Sequence, residues 1–252
     1  MERNIKLDIT YIGSAYCGWQ SQRNGRTVQE TLAAAIEKLT GAYPKLHGCG
    51  RTDSGVHAKN YCCSFKTPSA AAPETFVRGL NALLPRDIAV KAAGEAAPDF
   101  HARFSVTGKR YEYYILNSKT RDPFWEGRAL HYPYPLDEAA LDAAAKAYLG
   151  EHDFSAFCSA GGSVKDKVRV ITEASVRREG DVVVFSVTGS GFLYNMVRIM
   201  VGTLLSINEG KLPQGSVTQL LLSRDRTLAG RTVPPQGLYL DRVFYKRSDS
   251  IE

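Results

Sequence analysis

The 252-residue chain is short of cysteine, methionine and tryptophan, of long apolar runs and of any marked excess of one charge. Five cysteines (Cys17, Cys49, Cys62, Cys63 and Cys158) are an odd number without a Cys-x-x-Cys pair, which argues against a disulfide framework and for reduced thiols. The longest uncharged apolar stretch, Gly189 to Val197, is broken by Asn195 and ended by Arg198, far short of the roughly 20 residues of a membrane span. Met1 to Lys6 is charged and lacks the apolar core of a secretory signal, so a soluble, cytoplasmic protein is expected. Charge is nearly balanced, with 32 Lys+Arg against 26 Asp+Glu for a net +6. Residues 1–99 hold 12 basic and 9 acidic groups, so neither half is a basic tail, and any nucleic-acid surface must be assembled by folding. What is present is an ordinary globular balance of 44% apolar and 23% charged residues, which excludes disorder of the whole. At roughly 150 residues per domain, the length allows one large domain or two fused lobes.

The pattern along the chain favours two lobes. Ile5 to Ile12 alternates as a strand does; Thr27-Val28-Gln29-Glu30 opens an Ala- and Leu-rich helix to Leu39, with Thr27 as N-cap and Glu30 as its capping-box partner. A strand Tyr61 to Lys66, a helix Pro73 to Leu84 and a strand Ile88 to Ala93 follow. After a connector at Pro98 to Phe104 the order recurs: strand Arg110 to Leu116, helix Asp137 to Leu149, strands Val168 to Arg177 and Val182 to Thr188, helix Tyr194 to Asn208, and a closing strand Leu238 to Phe244. The reading is α+β, with an N-terminal lobe over 1–105, a C-terminal lobe over 106–252 and a cleft between them. Ser21 to Arg26, Asn117 to Arg128 and Ser159 to Lys167 read as loops of the kind that carry binding.

The densest polar constellation is Gly48-Cys49-Gly50-Arg51-Thr52-Asp53-Ser54-Gly55-Val56-His57-Ala58. Its glycines permit close approach by a substrate, and a guanidinium, two hydroxyls and an imidazole flank Asp53. Several chemistries compete. Ser54 and His57 are too close in sequence for a spatially assembled Ser–His–Asp triad, and no Gly-x-Ser-x-Gly elbow follows a strand. His47, Cys49, His57, Cys62 and Cys63 fall within 17 positions but lack the paired spacings of zinc sites. A phosphate-binding loop would need the terminal Gly-Lys-Ser/Thr, and the lysine is missing. A glycine-rich structural turn capped by Asp and Thr stays open.

Two further features bear on that choice. The helix from Phe192 to Leu205 is apolar on almost every side yet places Asn195 and Arg198 one turn apart on one face. An arginine so placed needs a carboxylate, unless it snorkels to the surface, and Asp53 is the best candidate. Such a pairing would hold Asp53 ionised, as suits a nucleophile. On the strand through Lys109-Arg110-Tyr111-Glu112-Tyr113-Tyr114, Tyr111 and Tyr113 share one face beside cations, a surface suited to stacking on an unpaired base or to filling a sheet core. Basic clusters at Phe100-His101-Ala102-Arg103-Phe104 through Lys109-Arg110, at Lys165 to Arg169 and at Arg224 to Arg231 could meet RNA or simply face solvent.

Taken together, these residues resemble the tRNA pseudouridine synthase A family. The resemblance rests first on Gly50-Arg51-Thr52-Asp53-Ser54-Gly55-Val56-His57-Ala58, where the family has its catalytic aspartate. It extends through Gly18-Trp19-Gln20, Phe100 to Phe104, Arg110-Tyr111, the arginine-bearing helix Phe192 to Leu205, and Pro235-Gln236-Gly237-Leu238-Tyr239-Leu240. Departures are Tyr11-Ile12-Gly13-Ser14 in place of Tyr-Asp-Gly-Thr, Cys49 and Ser54 where alanine is common, and Asn60-Tyr61-Cys62 in place of Gly-Gln-Val; they bear on the RNA target more than on the chemistry.

The resemblance implies a pseudouridine-synthase fold of two ferredoxin-like α/β lobes around a central cleft. It also implies a homodimer with RNA across both subunits and isomerisation of uridine at positions 38, 39 and 40 of the tRNA anticodon arm, with no cofactor or metal. Asp53, Arg51, Tyr111 and Arg198 would form the catalytic group, while Tyr111, Phe100, His101, Arg103, Lys109, Arg110 and Lys165 would contact substrate. His57 is expected to be a structural hydrogen-bonding residue. The same chemistry on another RNA, or a non-catalytic RNA-binding protein on the same lobes, are the alternatives.

Overall fold

Why the chain turns where it does is clearest at its first helix. Thr27 is fully buried and extended; its Oγ1 accepts from the Glu30 backbone N–H (3.3 Å) and donates to Glu30 Oε2 (2.9 Å), the reciprocal box expected from the sequence. The computed structural model describes residues 2–162 and 164–246; Ser163, inside the loop expected over 159–167, and both chain ends lie outside the described residues. In chain order the elements are β1 (Arg3–Tyr11), α1 (Val28–Thr40), β2 (His47–Gly48), β3 (His57–Thr67), α2 (Pro73–Leu83) and β4 (Ile88–Ala96). There follow β5 (Gly108–Leu116), β6 (Leu130–His131), α3 (Glu138–Ala145), β7 (Gly150–Asp153), β8 (Val168–Glu179), β9 (Val182–Gly189), α4 (Met196–Asn208), α5 (Ser216–Ser223) and β10 (Leu238–Phe244).

The chain divides into two compact units, one holding residues up to Thr107 together with the chain from Tyr239 on, the other Gly108–Leu238. In the first unit β1 lies between β4 and β3, antiparallel to both, and β2 pairs antiparallel with β3. The sequence β-α-β-β-α-β with spatial order 4-1-3-2 is the ferredoxin-like arrangement. Its closing strand runs parallel to the start of β3, with Tyr239 opposite His57 and Leu240 opposite Ala58. Ile5, Leu7 and Ile9 of β1 are fully buried, as are Leu32 and Ile36 of α1 and Phe76 and Leu80 of α2.

The second unit follows the scheme through β5, α3, β8, β9 and α4. Strand β9 lies between β5 and β8, antiparallel to both, β7 extends the far edge, and β6 runs parallel to β5. Helix α4 buries residues on all sides, from Met196 and Val197 to Leu205 and Ile207. The mixed α+β class read from the sequence is what the chain adopts.

Element ends differ where the backbone takes a left-handed residue or tightens. The helix expected from Tyr194 starts at Met196, because Asn195 sits at φ 60° and cannot be helical. The helix expected to run to Leu149 ends at Ala145; a 3₁₀ turn over Lys146–Tyr148 and Gly150 at φ 103° lead directly into β7. Among the described residues no helix is long and apolar enough to cross a membrane, and no disulfide joins any of the five cysteines.

Thr27→Ala removes both hydrogen bonds of the Thr27 hydroxyl. It is expected to cost about 1 kcal/mol, read as a lower urea midpoint at unchanged slope. Hydrogen bonds from Ser21 and then Thr27 hold the Glu30 carboxyl below the usual glutamate range. A depressed carboxylate stabilises the fold above its unfolded pKa, and that contribution is lost as pH falls through the folded value. The midpoint difference between Thr27→Ala and wild type is therefore expected to shrink in acid.

Candidate active site

Asp53 stands in a loop without regular hydrogen bonding, so its position depends on what grips the residues around it. The first loop provides most of that grip. Trp19 N–H donates to the Thr52 carbonyl (3.2 Å), Gly55 N–H to the Tyr16 carbonyl (3.2 Å), and Ser54 Oγ to the same Tyr16 carbonyl (3.3 Å). Within the turn, Val56 N–H donates to the Asp53 carbonyl (3.1 Å), with Gly55 at φ 78°. Such proximity demands glycine at position 18: its φ is +86°, and a Cβ there would lie 2.4 Å from the Thr52 carbonyl oxygen. Tyr16 is itself anchored, its hydroxyl donating to Asp87 (2.6 Å) and its ring lying under the Arg26 guanidinium at 5.0 Å. Burial, reinforced by the Asp87 carboxylate, pushes its phenol up.

Asp53 is half-buried and Arg51 exposed. His57 is fully buried, with Nδ1 accepting the Gly13 N–H at 2.9 Å and the ring 4.6 Å from that of Tyr239. The hydrogen bond requires an unprotonated Nδ1, so His57 ties the first loop to β3 as a structural group would. Of the residues weighed as zinc ligands, Cys62 and Cys63 are buried thiols pushed up by desolvation. Among the described residues no three His, Cys, Asp or Glu side chains gather as a metal-binding group.

The connector from Pro98 divides its residues between core and surface. Phe100 is buried beside Tyr245 (5.3 Å between rings), and its carbonyl accepts from Asn4 Nδ2 (2.9 Å). Of the residues expected to contact substrate, Phe100 thus packs inward. Ser64 Oγ accepts from Ala102 N–H (3.2 Å) and Tyr245 donates to the Ala102 carbonyl (2.6 Å), so the backbone is held while alternate side chains turn out. His101 lies between His47 (4.3 Å) and Phe104 (4.4 Å), its ring tilted to both. Phe104 is 76% exposed, with the Arg103 guanidinium 5.6 Å from its ring. Burial, and then neighbouring cations, holds both imidazoles below the usual histidine range. His47, weighed from the sequence as a zinc ligand, and Phe104, the end of the segment read as RNA-contacting, thus meet at His101.

In the second unit Tyr111 stands on β5 opposite Val187, buried, its ring edge-on to Phe192 at 5.0 Å. Tyr113 shares that face but is core: it is fully buried and donates to the Pro234 carbonyl (2.8 Å). Arg110 pairs with Glu173 (2.7 Å) and donates to Thr188 Oγ1 (3.1 Å). Lys109 is half-buried opposite Gly189, and Lys165 is exposed ahead of β8.

Arg198, half-buried one turn into α4, donates from Nη1 to Asn195 Oδ1 (2.6 Å) and from Nε to the Val233 carbonyl (2.7 Å). The strap Gly230–Pro234 therefore orients the guanidinium, and Asn195, left-handed at the helix start, supplies the second constraint. This is a positioned cation rather than one that snorkels free.

The family model described as tRNA pseudouridine synthase matches residues 9–105 and 144–246, which include Asp53 and Arg198 but leave Tyr111 between the two stretches. A protein of Acetivibrio thermocellus named tRNA pseudouridine synthase A is 47% identical over 243 residues, covering 96% of this chain and 100% of its own. Proteins of the same name from Clostridium acetobutylicum (46% over 243 residues; 96% and 100%) and Citrifermentans bemidjiense (47% over 245 residues; 97% and 98%) are equally similar. Among solved structures, a chain of the Cbf5–Nop10–Gar1 complex covers 95% of this chain and 50% of its own at TM-score 0.41 and 13% identity, too remote a likeness to build on. With matches across nearly all of its length and the Arg51-Thr52-Asp53 loop inside a matched stretch, the chain belongs to the tRNA pseudouridine synthase family of isomerases.

Proposed function

We propose that the protein isomerises uridine to pseudouridine in the anticodon arm of tRNA, at positions 38, 39 and 40, with Asp53 acting on the reacting nucleotide. The observation that carries the reading is the setting of Asp53, a half-buried carboxylate on a loop gripped through its backbone, which holds the residue in one place for chemistry. The reaction breaks the N1–C1′ bond, forms C5–C1′, releases the C5 proton and protonates N1, so it balances without an external oxidant or reductant.

The target uridine leaves its stack to reach the site. Arg51, exposed two residues before Asp53, helps hold the opened strand, and Asp53 attacks C6 or assists at C1′. Tyr111 stacks on the base and takes part in C5 proton removal. Arg198 is the cation that keeps Asp53 charged and aimed, its own direction set by Asn195 and Val233. The first unit bears the aspartate loop and the second the tyrosine strand and the arginine helix. The protein works in the cytoplasm as a homodimer across which the tRNA lies.

His101, Arg103, Lys109, Arg110 and Lys165 contact the RNA, and the exposed Phe104 ring beside Arg103 forms a platform for an unpaired base. Loss of one stacked base costs about 1–3 kcal/mol. Phe104→Ala is accordingly expected to weaken tRNA binding by roughly 5- to 150-fold in a filter-binding titration at fixed salt, with single-turnover kcat at saturation unchanged. The proposed target is tested by mapping pseudouridine in a tRNA transcript after treatment with the protein. Modification confined to 38, 39 and 40 supports it; modification elsewhere moves the chemistry to another RNA position.

A further inference from the structure

We infer that Tyr11 is a positioning residue for Asp53, acting through the hydroxyl pair it forms with Thr52; the inference rests on Asp53 being the catalytic group. Tyr11 ends β1 and is 2% exposed, Thr52 is 7% exposed, and their hydroxyl oxygens are 2.9 Å apart. Both residues are buried, and Tyr11 meets the site at the residue before Asp53.

The strand pairing is built to bring it there. Register between β1 and β3 steps from Ile9 opposite Tyr61 to Tyr11 opposite Ala58, a one-residue bulge on β3 of the sort that re-aims side chains beside functional sites. Tyr61, opposite Ile9, faces the same side as Tyr11 two residues on, their rings 5.7 Å apart, and stacks on Trp19 at 4.1 Å. Tyr61 donates to the Gly50 carbonyl (2.5 Å), as Tyr11 joins Thr52 Oγ1. The loop thus hangs from two buried tyrosine hydroxyls at alternate residues, 50 and 52, immediately before the aspartate. With the Thr52 carbonyl taken by Trp19 N–H, both the side chain and the peptide plane leading to Asp53 are fixed. Arg51 to Asp53 belongs to no strand or helix that could fix them otherwise.

The test is a set of hydroxyl-deletion variants assayed by single-turnover tritium release from [5-³H]uridine tRNA. Tyr11→Phe and Thr52→Val each lower kcat by about 10- to 100-fold, the range of a catalytic group displaced by about an ångström, with KM for tRNA within about twofold of wild type. Thr52→Ser, which keeps the hydroxyl, retains kcat, and the double variant Tyr11→Phe/Thr52→Val is no slower than the worse single one. Wild-type kcat in both single variants, equal losses in Thr52→Ser and Thr52→Val, or losses that multiply in the double variant would each overturn the inference. Should Tyr11→Phe fail to fold, the Thr52→Ser and Thr52→Val pair decides alone. An active Asp53→Asn would instead overturn the assignment of Asp53, independently of how these variants behave.

Discussion

Asp53→Asn is expected to lower turnover by at least about 10⁴-fold, the scale on which removing a nucleophile or its activating carboxylate acts, while tRNA affinity stays within about threefold. The asymmetry follows from how the loop is held. The loop is held by backbone groups and neighbouring side chains: Trp19 N–H on Thr52, Val56 N–H on Asp53 O, Gly55 and Ser54 on Tyr16 O, Tyr11 on Thr52. An isosteric amide at position 53 keeps all of these bonds while removing the charge and the lone-pair nucleophilicity of the carboxylate. Binding is to be measured by filter retention and turnover by single-turnover tritium release. A variant that lost both together would mean the loop had collapsed, and a variant that lost neither would remove Asp53 from the mechanism.

Gly202→Ala is expected to be the most damaging small substitution in the second unit. In an exposed helix the change would stabilise by up to about 1 kcal/mol. Here a Cβ at Gly202 would sit 1.8 Å from the Arg231 carbonyl oxygen and 2.9 Å from its carbon, so the strap must move away from α4. It cannot move alone: Gly230 N–H donates to Thr203 Oγ1 (3.1 Å), and Val233 exchanges hydrogen bonds with Arg198 through its carbonyl (2.7 Å) and its N–H (3.4 Å). Overpacking of this kind costs about 1–3 kcal/mol and sometimes more, seen as a lower denaturant midpoint. Because the displaced strap also orients Arg198, kcat is expected to fall by about tenfold or more in the fraction that remains folded. A loss of stability with wild-type kcat would show that the strap does not tune Arg198.

The parts of this molecule that were legible in the sequence are those fixed by local chemistry. Thr27 and Glu30 announced the start of α1 because a capping box spans only four residues. The period-2 pattern located β1 and β5, and runs of β-branched and aromatic residues located β9 and β10; Asn195 and Arg198, read as sharing one face beside an expected carboxylate, are joined to each other by a 2.6 Å hydrogen bond that the spacing did not announce. Strands β2, β6 and β7 were invisible because two to four residues carry no period, and helix α5 was not distinguished from its basic surroundings. Phe100 and Tyr113 looked like binding aromatics but lie in the core, since composition alone does not tell which face of a segment turns inward. The Tyr11–Thr52 contact joins residues 41 apart beside a β-bulge, neither of which leaves a mark in the sequence. The Arg-Thr-Asp string, by contrast, was conspicuous before any fold was known, because glycines and a carboxylate crowd into so short a span.

The most direct test of the central claim is tritium release from [5-³H]uridine-labelled tRNA transcripts, comparing wild type and Asp53→Asn on transcripts in which uridines 38, 39 and 40 are replaced one at a time by cytidine. The account predicts one equivalent of tritium per target uridine with wild type, a loss of that equivalent with each replacement, and none with Asp53→Asn. Undiminished release from transcripts lacking all three uridines, or from Asp53→Asn at a rate near wild type, would contradict it.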